Sequence, residues 1–203
     1  MTRLPDRLVV GTKNLDKLGE MRAVLAATAP SVEIVEDAEW PDVDETGATL
    51  EENALLKAGA VVAATGHAAI ADDTGLEVDA LGGRPGVHTA RFAGPGATYA
   101  ENRRALLDAL DGRDNRTARF RTVMALVGPG IGETTVEGVL EGSITTSERG
   151  DGGFGYDSIF DVGGRTLAEI PEGEKNRISH RAMALQSLAA LLADAITEEG
   201  RTD

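Results

Sequence analysis

The chain is 203 residues long, 41% hydrophobic and carries a formal net charge of −14, enough for one large domain or two small lobes around a shared core. It has no cysteine, which excludes disulfides, thiolate metal sites and cysteine nucleophiles, and its acidity argues against a general nucleic-acid-binding surface, which needs a clustered positive field. The start, MTRLPDRLVVGT, lacks the apolar core of a signal peptide, and no run approaches the ~20 apolar residues of a membrane span, so the expectation is a soluble cytoplasmic protein with neither membrane nor nucleic acid as partner.

The apolar run Leu8 to Val10 predicts a first strand. A loop follows, then DKLGEMRAVLAATA, where Leu18, Met21, Val24 and Leu25 recur at helical spacing. One face should pack, with Lys17, Glu20 and Arg22 pointing outward. Val32 to Val35 reads as a short strand. After a Pro/Asp-rich loop, TLEENALLKAGAVVAA reads as a helix, with a capping-box pattern at Thr49 and Glu52 and Gly66 as its stop. AAIADD is a strand, ALGGRPGVHTARFAG a long loop, and TYAENRRALLDALDG a helix stopping near Gly112. TARFRTVMALVG and ETTVEGVLEGSI, alternating or β-branched and joined by PGIG, form a hairpin. From Ser179, the residues Ala184, Leu188, Leu191, Leu192 and Ala195 fall on one stripe of a terminal amphipathic helix. Helices and strands intermix without linker or repeat, so the class is α/β or α+β with a mixed sheet.

Four local patterns carry chemistry. GTKNLDKL follows a strand and opens a helix, so its two lysines and the helix N-terminus suit an anion; it is not a Walker loop, because Asp16 and Leu18 replace the required Gly and Ser/Thr. GDGGFG at 150–155 matches the dinucleotide fingerprint in letters, but it precedes the extended-looking YDSIF rather than a helix. A turn, or a glycine loop that lets backbone approach a ligand, is left. KNRISHRAMAL gathers Lys175, Arg177, His180 and Arg181, with Ser179 placed to cap the next helix. Taken alone it reads as a solvated basic helix start. Asp72 and Asp73 in IADDTG repel each other, and burying either unpaired costs several kcal/mol. A metal, a backbone that points them apart, or solvent would compensate them.

TKNLDK, DETGATLEENALLKA at 44–58, IADDTGLEVDALGGRPGVHTARFAG at 70–94, GGFGYDSIF at 152–160 and EKNRISHRAMAL at 174–185 occur together in this order. In that order and spacing the chain resembles the inosine triphosphate pyrophosphatase family, from Val9 to about Leu188, across nearly its whole length. The resemblance implies a single pyrophosphatase domain over 1–203 with an elongated, mixed-sheet α/β fold of two lobes and the nucleotide in a central cleft. It also implies a homodimer, dependence on Mg²⁺, and hydrolysis of dITP, ITP and XTP to the monophosphate and pyrophosphate. By the same resemblance, Thr12, Lys13, Asn14 and Lys17 hold the triphosphate, Asn14 and Lys17 matching best, and Thr74 and Gly75 line its end. Glu45 helps hold the metal, and Asp73 binds it or acts as the base. Phe154, Gly155, Tyr156 and Asp157 match the base pocket, and Lys175, His180 and Arg181 match contacts to base or phosphates. Lys13 departs from the small residue of many relatives: it either adds a cation near the phosphates or points to solvent.

The chemistry is consistent with this. Mg²⁺ is typically held by one or two carboxylates plus substrate phosphates, which Glu45 and Asp73 can provide, while Lys13, Lys17, Lys175 and Arg181 can supply counter-charge. If the strand is extended, Asp72 points away from Asp73 and binds a second metal or caps backbone. Two rivals are a Maf-like nucleotide pyrophosphatase of different base preference, against which the SHR segment stands, and a non-catalytic nucleotide sensor.

Overall fold

The computed structural model describes the backbone of residues 5–199 and the side chains of residues 5–190. In chain order, β1 (Arg7–Val10), α1 (Leu15–Thr28), β2 (Glu33–Ile34), α2 (Leu50–Thr65) and β3 (Ala68–Val78) are followed by the short β4 (Pro85–Gly86) and α3 (Tyr99–Ala109). Then come β5 (Thr117–Gly128), β6 (Gly132–Ile144), β7 (Phe160–Val162), β8 (Arg165–Thr166), α4 (Glu172–Ile178) and α5 (His180–Glu199). The strands form one open sheet in the order β2-β1-β3-β5-β6-β7-β8, with β4 on β3. β1 is parallel to β2 and β3, whereas β7 is antiparallel to β6 and β8. The sheet is therefore mixed and the class α/β, as expected. Among the described residues no helix is long and apolar enough to cross a membrane.

The chain forms two compact units. The first takes residues up to Asp73, then 122–138, and from Arg181 on; the second takes 74–121 and 139–180. In the first unit the pleat decides which helix covers which residue. Leu8, Val10 and Ile70 share a core with Met21, Val24 and Leu25 of α1 and with Ala182, Leu185 and Leu188 of α5. Val9 and Ala69, one position out of phase, pack instead with Val61 of α2. Strand residues alternate faces, so α1 and α5 cover one side and α2 the other. Each fully buried large side chain in these layers contributes about 1.5–3 kcal/mol. In the second unit Leu76, Leu106, Leu110, Ala118, Ile144, Ile159 and Phe160 are buried, and the Phe120 and Phe160 rings lie 4.6 Å apart.

The Thr49 cap and the Gly66 stop act as read, although the Glu52 side chain accepts from the Ala48 N–H instead of closing the box on Thr49. Thr49 caps α2 by accepting from the Glu52 N–H at 3.1 Å, and Gly66 ends it with φ of 70°. Thr98 and Glu101 form a full capping box on α3. Several expectations are corrected. β3 does not stop at Asp73 but runs on to Val78, because Leu76 and Val78 continue the buried alternation. YDSIF is not extended: 157–159 is a 3-10 turn, and the strand begins only at Phe160. Glu20 does not face outward but is buried at 6% exposure, for a reason its partner supplies below. Of the α5 stripe, Ala184 and Leu188 are in the core; the side chains of Leu191, Leu192 and Ala195 lie outside the described residues.

Candidate active site

The strand that carries Asp72 and Asp73 settles how two adjacent carboxylates coexist. Asp72 is in phase with Ile70 and lies on the side covered by α1 and α5. There Lys17 of α1 donates to its Oδ2 at 3.1 Å and Arg181 of α5 donates from Nε at 3.2 Å. Arg181, 2% exposed, also donates from its NH1 to Glu20, which explains the burial of that acid. Asp73 is out of phase and lies on the α2 side. Lys57 donates to its Oδ1 at 3.0 Å and Asn53 to its Oδ2 at 3.2 Å. The pleat thus points the two charges apart, and each face supplies its own partners.

The two carboxyls are tuned in opposite directions. Burial opposes the charge of Asp72, but Lys17, Arg181 and Lys57 outweigh it and hold the group well below the usual carboxylate range. Burial pushes the Asp73 carboxyl up, and the charge and hydrogen bond of Lys57 offset this only in part. The charged form is thus favoured at Asp72 and disfavoured at Asp73 relative to an ordinary carboxylate. Burial works against the Lys57 ammonium, yet Asp72, Asp73 and Glu45 together raise its pKa.

Lys57 binds Glu45 as well, at 2.9 Å. The loop bearing Glu45 is fixed by Asn53, 1% exposed, whose Oδ1 accepts from the Gly47 N–H at 2.8 Å. A Cβ on Gly47 would sit 2.6 Å from that same oxygen and 2.7 Å from the Glu52 Cβ, so only glycine lets the loop come this close. One asparagine therefore ties the Glu45 loop to Asp73. Asn53 and Lys57 were not marked from the sequence; their signal is the i, i+4 spacing that puts both on one face of α2.

Glu45 and Asp73 converge on a single ammonium, so their oxygens face one point where a cation sits. Among the described residues no group of three or more histidine and acidic side chains forms a metal site. Two carboxylate oxygens are hard donors of the kind an oxygen-seeking divalent cation takes, and here the Lys57 ammonium stands between them.

The loop before α1 is the strand–loop–helix expected of an anion site. Asn14 caps α1, its Oδ1 accepting from the N–H of Asp16 at 3.0 Å and of Lys17 at 3.2 Å, and the Thr12 Oγ1 accepts from the Asn14 N–H. Lys13 pairs at 2.5 Å with Asp42 at an exposed position. Lys17 links this loop to Asp72.

The second unit gathers most of the other expected residues. Asp157 accepts through Oδ2 from the Phe154 N–H at 2.9 Å and from the Lys175 Nζ at 2.7 Å, and that ammonium stands 4.9 Å from the Phe154 ring centroid. Gly153 has φ of 70°, and a Cβ there would lie 2.1 Å from the Asp157 Oδ2, so glycine is what permits the carboxylate to fold back onto the loop. The Tyr156 hydroxyl donates to the Thr89 carbonyl at 2.8 Å, and burial pushes its phenol up. His180 is buried and stacks on Phe120 at 4.7 Å. Thr74 and Gly75 lie on β3 just after Asp73. Because Lys175, His180 and Arg181 are all buried, the reading of this segment as a solvated basic helix start is overturned.

Fold and site together define an α/β protein with a strand–loop–helix turn before α1 and two adjacent aspartates on β3 that are held by separate sets of cations. The chain belongs to the Ham1 family, whose model matches residues 8–191. It is 46% identical over 193 residues to the dITP/XTP pyrophosphatase of Bacillus licheniformis, covering 93% of this chain and 98% of that protein. It is 50% identical over 199 residues to the dITP/XTP pyrophosphatase of Symbiobacterium thermophilum, covering 96% and 98%. Among solved structures it matches the Staphylococcus aureus Ham1 protein with a TM-score of 0.83 at 36% identity, over 93% of this chain and 99% of that one. The resemblance read from the sequence is thereby borne out.

Proposed function

We propose that this chain hydrolyses the non-standard purine nucleoside triphosphates dITP, ITP and XTP to the monophosphate and pyrophosphate. The observation that carries the chemistry is the split aspartate pair: Asp72 is paired with Lys17 and Arg181 on one face of β3, and Asp73 shares Lys57 with Glu45 on the other. The substrate class rests on relatives of 46% and 50% identity named for it. Relatives so named disfavour both a Maf-like enzyme and a sensor.

In this reading Lys17, at the first turn of α1, binds phosphate, with Thr12 and Asn14 shaping the loop and the helix N-terminus adding its partial positive charge. Glu45 and Asp73 would hold Mg²⁺, which when bound neutralises charge on the phosphate oxygens. Asp73 orients the attacking water and takes its proton, Asn53 holding the carboxylate in place. A bond forms from the water oxygen to the α-phosphorus, the α–β bridging bond breaks, and pyrophosphate leaves with the electron pair. Phe154 with the 153–157 loop, Lys175 and His180 serve the purine. By the same family reasoning the protein works in the cytoplasm as a homodimer.

A substrate panel tests the reading. With Mg²⁺, kcat/KM for dITP and XTP should exceed that for dATP, dUTP and dGTP by on the order of 10²-fold or more, because a site built to hydrogen-bond one substituent leaves buried groups unpaired with another. Chelation should abolish turnover. Equal rates across the panel, or turnover that survives chelation, would contradict it.

A further inference from the structure

The loop from Gly150 to Tyr156 contains no helix or strand, so no sheet ladder sets its shape. Backbone bonds hold it at two points, from the Gly152 N–H to the Ala168 carbonyl and from the Asp157 N–H to the Phe154 carbonyl, both at 3.1 Å, and side chains hold the rest. Asp157 holds it from its own end, and a second grip comes from α3. Arg103 donates from NH1 to the Gly155 carbonyl at 2.9 Å. One turn earlier on the same face, the Tyr99 ring lies 6.1 Å from the Phe154 ring at 40°, as i, i+4 spacing allows.

Arg103 is itself oriented. Its Nε lies 3.0 Å from the Glu148 Oε2, which also accepts from the Ser158 Oγ at 3.0 Å. The helix beneath it is anchored: its capping box fixes the first turn, and buried Asn102 accepts from the Ala93 N–H and donates to the Ala90 carbonyl. α3 therefore presents Tyr99 and Arg103 from a rigid support.

The bond to Gly155 does more than tether the loop. Gly155 has φ of 61°, a left-handed conformation with little side-chain steering, so its peptide plane is free to rotate unless something holds the carbonyl. In a trans peptide the carbonyl and the following N–H point opposite ways. Fixing the Gly155 oxygen on Arg103 thus fixes the direction of the Tyr156 N–H, a backbone donor of the kind that a 6-keto purine accepts and a 6-amino purine does not.

We infer that Arg103, supported by Glu148 and Tyr99, is a positioning residue for purine discrimination: it acts through the Gly155 peptide and touches neither phosphate nor metal. The inference rests on the reading of 153–157 as the base loop.

The test is kcat and KM for dITP and dATP in wild type, Arg103→Ala and Arg103→Lys, with Tm recorded for each. A charge-assisted hydrogen bond to a partly buried carbonyl is lost in Arg103→Ala, so the dITP/dATP ratio of kcat/KM should fall about 10-fold, through a raised KM for dITP and a kcat changed by no more than about 2-fold. Arg103→Lys, keeping one donor, should recover part of the ratio. A lowered Tm with dITP and dATP affected in equal proportion makes Arg103 purely structural and overturns the inference. If Arg103→Ala does not fold, Arg103→Lys decides alone: an unchanged ratio overturns the inference and a reduced one supports it. A wild-type enzyme that does not discriminate removes the base-loop reading itself, whereas discrimination kept in both variants removes only the role of Arg103.

Discussion

Asp73→Asn is expected to lower kcat for dITP at saturating Mg²⁺ by on the order of 10²-fold or more, the scale of losing a positioned base and a metal carboxylate together. The fold should survive with a Tm lowered by several degrees. The reason is local. The Asp73 carboxylate accepts from Lys57 on one oxygen and from Asn53 on the other, so the amide of the variant must turn its NH₂ group toward one of those donors. One mismatched buried hydrogen bond costs about 1–3 kcal/mol, well short of unfolding a domain whose stability is roughly 5–15 kcal/mol. Kinetics below the new Tm, with circular dichroism on the same sample, separate chemistry from folding. A wild-type kcat in the variant would remove Asp73 from the reaction.

Arg181→Ala is expected to have the largest effect on stability. Arg181 is 2% exposed and bridges Glu20 and Asp72. Its removal strips both acids of a shared buried cation, a loss of about 3–5 kcal/mol when one member of a buried ion pair is deleted, and a Tm fall on the order of 10 °C in a chain this size. The exposed Lys13–Asp42 pair is hydrated and screened and contributes little by comparison. Thermal unfolding of Arg181→Ala measures the stability term. Comparing dITP with dATP in Arg181→Ala measures a second property: a ratio that shrinks supports base reading by the guanidinium, and an unchanged ratio confines Arg181 to the carboxylate network. A Tm within a degree or two of wild type would contradict the burial argument.

How much of this was legible in the sequence depended on the range of the interaction. Thr49, Glu52 and Gly66 act within one turn of their own chain, and local spacing was enough to place both ends of α2. The same held for the turn joining β5 and β6. Glu20 was misread because helical periodicity counts a charge as outward unless a partner is visible, and its partner Arg181 lies 161 residues away. β3 was ended too early for a related reason. The Asp pair looked like an exit from the core, yet the strand continues because cations from α1, α2 and α5 neutralise it on both faces.

The separate surroundings of Asp72 and Asp73 needed the pleat and the helices above and below it. Strand alternation predicts only that the two point apart, not which face holds Arg181 and which holds Lys57. Lys57 and Asn53 were hidden in an ordinary amphipathic helix, and only their bonds to Asp73, Glu45 and Gly47 show that α2 reaches the aspartates as well as the core.

The most direct test of the central claim is the identity of the products, followed by phosphorus NMR as purified protein consumes dITP with Mg²⁺. The account predicts dIMP and pyrophosphate in equal amounts, with no inorganic phosphate preceding them. Accumulation of dIDP and inorganic phosphate, or no consumption of dITP at all, would contradict it.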